Sequence, residues 1–225
     1  MSTIQPISKT NTGLLQNQSP NDLEMSVKNN LPQYTYADAP VGKIIIAAIK
    51  TGKLSLDTLV KLARDNAGHH VDMRKAALGQ LQLQFKAASP AYLERVVSES
   101  FPGFTYSDTP EGRIILAVII YTGKLSLDTL VKLARDNAGH HVAMRKAALD
   151  QLQLQLKGAS PKYLERVVSE SLPGYTYPDA PDGQIILVVI NTGKLSFATL
   201  EKLAKDNIGH HKATQKAAQK QLGLK

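Results

Sequence analysis

The chain has 225 residues, a formal net charge of +8 and 43% hydrophobic residues, so it can bury a sizeable core and is not a disordered tail. It contains no cysteine, which excludes a disulfide framework, thiolate metal sites and a cysteine nucleophile. Its longest apolar runs, Ile44 to Ile49 and Ile114 to Tyr121, are far shorter than the roughly 18 residues of a membrane span. The first residues, Met1 to Lys9, lack the basic segment and apolar stretch of a secretory signal. The expectation is a soluble, cytoplasmic-type protein.

Residues 1–18 are rich in Ser, Thr, Asn and Gln without apolar periodicity, and they read as a flexible tail. From Ser19 onward the chain repeats itself. Thr51 to Val71 returns letter for letter at Thr122 to Val142, and a looser copy begins at Thr192. Ser89 to Pro102 recurs at Ser160 to Pro173, with a degenerate version at Ser19 to Pro32. The period is about 70 residues, the mark of stacked supersecondary units. Residues 19–225 therefore read as a single tandem-repeat domain. It comprises a partial unit at 19–33, full units at 34–103 and 104–174, and a truncated unit at 175–225.

Each unit contains four segments with helix start and stop signals. The first opens at Asp38-Ala-Pro-Val-Gly, where Asp can cap free N–H groups and Pro suits the first turn, and it stops at Thr51-Gly52. Its Ile-rich centre, as in Ile185 to Ile190, also admits a buried strand, which would make the fold α+β. The Pro start and Gly stop favour a helix. The second begins at Ser55 with an apolar stripe of Leu56, Leu59, Val60 and Ala63. On its other face Asp57, Lys61 and Asp65 are i,i+4 neighbours of alternating sign. The third is predicted from His69 to about Ala87. The fourth is capped by Ser89, with Pro90 in its first turn and Leu93, Val96 and Val97 facing inward. An aromatic-Thr-aromatic turn follows each fourth segment, at Tyr34-Thr-Tyr36, Phe104-Thr-Tyr106 and Tyr175-Thr-Tyr177.

The predicted fold is all-α, a right-handed solenoid-like array of four-helix repeats. It resembles tetratricopeptide, HEAT and armadillo proteins in architecture, although none of their consensus motifs appears in residues 19–225. The resemblance implies a binding surface and names no ligand. In the last unit Val71, Met73 and Leu78 become Lys212, Thr214 and Gln219, which reads as a capping repeat with nothing stacked beyond it.

All six histidines lie in three Gly-His-His triplets, as His69-His70, His140-His141 and His210-His211. Imidazole can bind zinc, copper or nickel. Adjacent helical residues point about 100° apart, however, so one pair does not easily chelate one ion. The expectation is no metal and no cofactor. Each pair instead marks a turn, with the histidines near the C-terminal carbonyls of the second helix.

Charge is placed more tellingly. The third-helix segments 69–86, 140–157 and 210–225 carry +2, +2 and +4, which is the whole net charge of the chain. Stacked in register, these helices would form a basic ladder enriched in Gln. The residues expected to contact a partner are the histidine pairs with Arg74, Lys75, Arg145, Lys146, Lys216 and Lys220. The aromatic residues read as lying away from these basic helices. No nucleophile elbow, phosphate-binding loop, dinucleotide fingerprint or zinc-protease motif is present, so the expected function is non-enzymatic. A scaffold binding a protein partner is the first reading, and sequence-independent nucleic-acid binding through the basic ladder is the alternative. The near-identical copies are similar to those of some secreted bacterial effectors, which adds non-classical delivery into a host cell as an expectation.

Overall fold

The structure, a computed structural model, describes residues 15–65, 67–103, 106–136, 141–175, 177, 179–206 and 211–224. It is all-α, and no strand occurs among the described residues. Twelve α-helices are described: α1 (Pro20–Asn30), α2 (Pro40–Lys50), α3 (Leu56–Ala63), α4 (Val71–Gln84), α5 (Pro90–Ser100) and α6 (Pro110–Thr122), then α7 (Leu127–Arg135), α8 (Val142–Gln155), α9 (Pro161–Ser171), α10 (Pro181–Ile190), α11 (Phe197–Ala204) and α12 (Lys212–Gln221). The Ile-rich segments are the helices α2, α6 and α10, so the α+β alternative is overturned. Among the described residues no helix is long and apolar enough to cross a membrane.

Local chemistry fixes most helix ends. Ser19, Ser55, Ser89, Ser126, Ser160 and Ser196 each accept a backbone N–H of the first turn, an N-cap worth about 1 kcal/mol apiece. Gly52, Gly123 and Gly193, which follow the first helices of the three copies, have φ of 71°, 60° and 69°, the left-handed region that terminates a helix. The expected Asp38 cap is not formed. Ala39 is the N-cap of α2 without any side-chain bond, because the Pro in the first turn sets the boundary one residue after Asp38. The third helix also starts later than expected. Gly68–His70 is a short 3₁₀ turn, and the α-helix begins at Val71.

The chain divides into two compact units. One carries α1–α6 and ends at Thr122; the other carries α7–α12, with residues 106 and 107 belonging to it. In the first, α2 packs on α1 and α4, α4 packs on α2, α3 and α6, and α5 packs on α6. In the second, α10 packs on α7, α8, α9 and α12, while α7 pairs with α8 and α11 with α12. Each third helix thus packs on an apolar first helix of its own unit. Leu15 is buried against the first unit, and Lys53 Nζ donates to the carbonyls of Gln16 and Gln18 at 2.6 and 3.2 Å.

Fourth helices bind second helices through polar clusters that repeat in each unit. Asp57 on α3 accepts from Arg95 Nη2 at 2.7 Å and from Tyr92 Oη at 3.1 Å on α5. Asp128 on α7 does the same with Arg166 at 2.6 Å and Tyr163 at 3.0 Å on α9. These bonds hold both carboxyls below the usual carboxylate range. The i,i+4 series expected through Lys61 is replaced by this cross-helix pairing. Arg64 Nη2 and Arg135 Nη2 reach Ser100 Oγ and Ser171 Oγ at 2.7 and 2.9 Å, tying the far ends of the same helix pairs. In the third copy these positions read Ala198 and Lys205.

Two of the three polar changes of the last copy need no loss of a covering neighbour. Val71 and Val142 are already exposed where Lys212 stands, so no covering neighbour is lost there. Thr214 is buried in place of Met73, and its hydroxyl bonds Tyr175 Oη at 2.8 Å. Tyr34 Oη, at the matching position, is buried without a hydrogen-bond partner.

The Gly of the Asp-x-Pro-x-Gly start has a steric purpose in the first and third copies. A Cβ on Gly183 would lie 2.7 Å from the Tyr177 carbonyl oxygen and 2.6 Å from the Tyr175 ring, and one on Gly42 would run into the Tyr36 carbonyl. The aromatic turn crosses the helix start at that point. Gly183→Ala should therefore lower stability by about 2 kcal/mol. Gly79→Ala, in open space on α4, should raise it by about 0.5–1 kcal/mol. Urea unfolding midpoints of the two variants check both signs.

Candidate functional site

The head of the third helix gathers the residues the sequence singled out, and it sorts them into two kinds. His69 is exposed, whereas His70, His141 and His211 are 8%, 6% and 4% exposed. His140 and His210 lie outside the described residues. The second histidine of each pair faces an aspartate five residues earlier. Its Nδ1 lies 2.6 Å from a carboxylate oxygen of Asp65, Asp136 or Asp206. On the other side of the ring, His70 Nε2 is 3.3 Å from the Tyr34 carbonyl, and His211 Nε2 is 3.0 Å from the Tyr175 carbonyl.

This geometry corrects the expected placement near the second helix's last carbonyls. An arginine bonds the carbonyls just beyond that helix. Arg74 Nη1 donates to the carbonyls of Asp65 and Ala67 at 3.0 and 2.6 Å, and Arg145 Nη1 donates to that of Asp136 at 3.1 Å. In the last copy Gln215 and Gln219 reach back to the Ala204 carbonyl at 3.2 and 3.4 Å. Asp65 Oδ1 also accepts from Ala67 N–H at 2.9 Å. The loop between second and third helices is therefore closed by one Asp, one His and one Arg or Gln. Arg74 and Arg145, expected to meet a partner, spend their guanidinium groups on their own loop.

Lys75, Lys146, Lys216 and Lys220 are exposed, and none of them forms an ion pair among the described residues. The Gln residues of the ladder are partly committed. Gln84 Nε2 donates to the Gly52 carbonyl at 3.1 Å, fastening the third helix to the end of the first, and Gln155 Nε2 donates to the Gly123 carbonyl at 3.1 Å.

The aromatic turns are not remote from these helices. Tyr34 meets His70 edge-on at 4.6 Å between ring centroids, and Tyr175 stacks on His211 at 3.8 Å and 6°. The outer ring, Tyr36, lies 5.9 Å from the His69 ring. Tyr36, Tyr106 and Tyr177 are 63%, 58% and 61% exposed, a recurrent solvent-facing phenol that sequence reasoning passed over. The signal was present, since a Tyr closes every aromatic-Thr-aromatic turn. Val71 and Lys75 follow one helical turn apart on α4, both exposed. Burial raises the Tyr34 phenol, and the Asp72, Asp38 and Asp65 carboxylates add to the shift.

An Asp–His pair is also the base-and-orienter arrangement of many hydrolases. In the first and third copies the other ring nitrogen, that of His70 and of His211, is turned to a backbone carbonyl inside the protein. Among the described residues no group of three His, Asp or Glu side chains is placed to hold a metal ion. No protein-family model matches this chain, and neither a curated protein nor a solved structure is similar to it at a significant level.

Removing one member of a buried charge-assisted bond costs about 1.5–3 kcal/mol. His70→Ala and His211→Ala should each lose that much, while His69→Ala should stay within about 0.5 kcal/mol. Thermal melts of the three variants, followed by circular dichroism, distinguish a buried staple from a surface pair.

Proposed function

We propose that the protein is a non-enzymatic helical-repeat scaffold that binds a protein partner through the patch each copy presents at the head of its third helix. The observation that carries this reading is the exposed Tyr36 beside His69, with Val71 and Lys75 following on the same helix. Tyr106, Val142 and Lys146 are the equivalents in the second copy, and Tyr177, Lys212 and Lys216 in the third. Tyrosine supplies a large contact area with few rotatable bonds, which is why it is enriched in interfaces. The exposed Leu83 and Leu154 further along α4 and α8 extend the apolar character. Lys75, Lys146, Lys216 and Lys220 would favour acidic side chains on the partner and set the association rate.

A second reading has one observation in its favour. A solvent-facing ring at the head of a lysine-bearing helix also suits single-stranded nucleic acid, which is held with bases on aromatic rings and phosphates on cations. The two readings separate by salt. Nucleic-acid binding weakens log-linearly with salt concentration, by about one power for each phosphate contact.

The experiment uses the full chain as bait in an extract of its native cells. The comparison is with a variant carrying Tyr36→Ala, Tyr106→Ala and Tyr177→Ala. The partner recovered by the native chain should be recovered at least tenfold less by the variant, and its recovery should change little at high salt. Equal recovery by both baits would remove the aromatic patch from the account. Retention of the native chain on single-stranded DNA that vanishes with salt, together with no protein partner, would replace the first reading by the second.

A further inference from the structure

A fourth helix has two sides, and its polar contacts tell them apart. Toward the second helix of its own copy, α5 presents Tyr92 and Arg95 to Asp57 and Ser100 to Arg64. On α9, Tyr163, Arg166 and Ser171 meet Asp128 and Arg135 in the same way. Toward the second helix of the next copy, Glu165 on α9 accepts from the Ser196 N–H and from Thr199 Oγ1. Glu24 on α1 accepts likewise from Ser55 and Thr58. Leu15 fixes the register of this first segment. It is buried where Phe85 and Leu156 are buried, and Lys53 bonds the Gln16 and Gln18 carbonyls as Lys194 bonds those of Lys157 and Ala159. Helix α1 is therefore a fourth helix whose next-copy side is occupied.

Its other side carries a different set of residues. Asp22, Met25, Ser26, Asn29 and Asn30 stand where α5 has Tyr92, Arg95, Val96, Glu99 and Ser100. Met25 is 62% exposed. A matching surface lies on α11, the second helix of the last copy. There Ala198, Glu201 and Lys205 stand where α3 has Asp57, Val60 and Arg64. Beside Ala198, Phe197 is 70% exposed, more than any other large apolar side chain described, whereas Leu56 and Leu127 are half-buried at that position. The changes on one face answer those on the other. The inner interfaces set Arg95 on Asp57; these faces offer Met25 and Ala198. The inner interfaces set Arg64 on Glu99 and Ser100; these offer Lys205 to Asn29 and Asn30. Val60 and Val96, both buried, give way to a carboxylate, Glu201, and a hydroxyl, Ser26.

We propose that the two faces are halves of one interface, and that a second molecule of this chain docks its α1 on α11, head to tail, as α5 docks on α3. The choice of α1 follows from charge. An inner fourth helix would bring Arg95 or Arg166 to Ala198 with no carboxylate opposite, a penalty that α1 escapes through Met25. A head-to-tail contact is heterologous, so each added molecule leaves one face of either kind open and the assembly grows. This association draws on none of the residues of the aromatic patch and is independent of the partner reading above.

The test is the mass of the full chain alone as a function of concentration, by sedimentation or light scattering. The native chain should pass from monomer through dimer to longer species. Met25→Glu and Phe197→Glu place a good helix former at exposed helix positions, so both should keep the native circular dichroism. Each variant alone should self-associate at least about tenfold more weakly than the native chain. Mixed in equal amounts they should form a dimer and nothing larger, because Phe197→Glu keeps a native α1 and Met25→Glu a native α11. Misfolded variants would not recover on mixing. A native chain that stays monomeric or stops at a dimer would overturn the proposal. So would single variants that associate as the native chain does, or a mixture that stays monomeric. Since no partner is present, failure here leaves the partner reading standing, and failed partner recovery leaves this interface standing.

Discussion

The fold depends on covering the first helix of each copy. Helices α2, α6 and α10 carry apolar residues around most of their circumference, with Ile45, Ile49, Ile114, Ile115, Ile185 and Ile186 buried. A helix apolar on so many sides cannot lie on a surface, so it needs neighbours on several faces. In the second unit α7, α8, α9 and α12 supply them around α10. At roughly 1.5–3 kcal/mol for each fully buried aliphatic side chain, this burial exceeds any single polar contact in the chain. The amphipathic second, third and fourth helices take their places from that requirement.

Polar groups then choose among the arrangements that burial allows. The Asp57–Arg95–Tyr92 and Asp128–Arg166–Tyr163 clusters are largely exposed, so each adds little energy. They fix which residues of the fourth helix meet which residues of the second. The Asp–His–carbonyl bonds do comparable work in the interior, where an unsatisfied partner is costly. A loop closed from inside leaves its outer side chains free for other contacts. That is the physical link between the buried His70 and the exposed Tyr36.

Much of the helical pattern was legible in the sequence because it is local. Ser caps, Pro in the first turn and Gly at the stop act within a few residues, and they placed most helix ends correctly. Asp38 misled because an N-cap and a preceding Asp one residue away look alike in sequence, and Ala39 takes the position. The His70–Asp65 contact was not legible, since a five-residue offset across a loop belongs to no helical or strand period. The pairing of Asp57 with Arg95, 38 residues away, was hidden for the same reason. A nearby Lys61 offered a plausible local partner that the fold did not use. Arg74 and Lys75 were indistinguishable as neighbouring cations, yet one is folded back on its loop and the other faces solvent.

The central claim is that a repeated patch, built by an inward staple, is where the partner sits. Hydrogen–deuterium exchange of the full chain with and without its recovered partner addresses this most directly. The account predicts that protection on binding falls on residues 34–36 and 68–75, and on their equivalents at 142–146 and 211–216. Protection confined to the outer faces of the second and fourth helices, with the heads of the third helices unchanged, would contradict it.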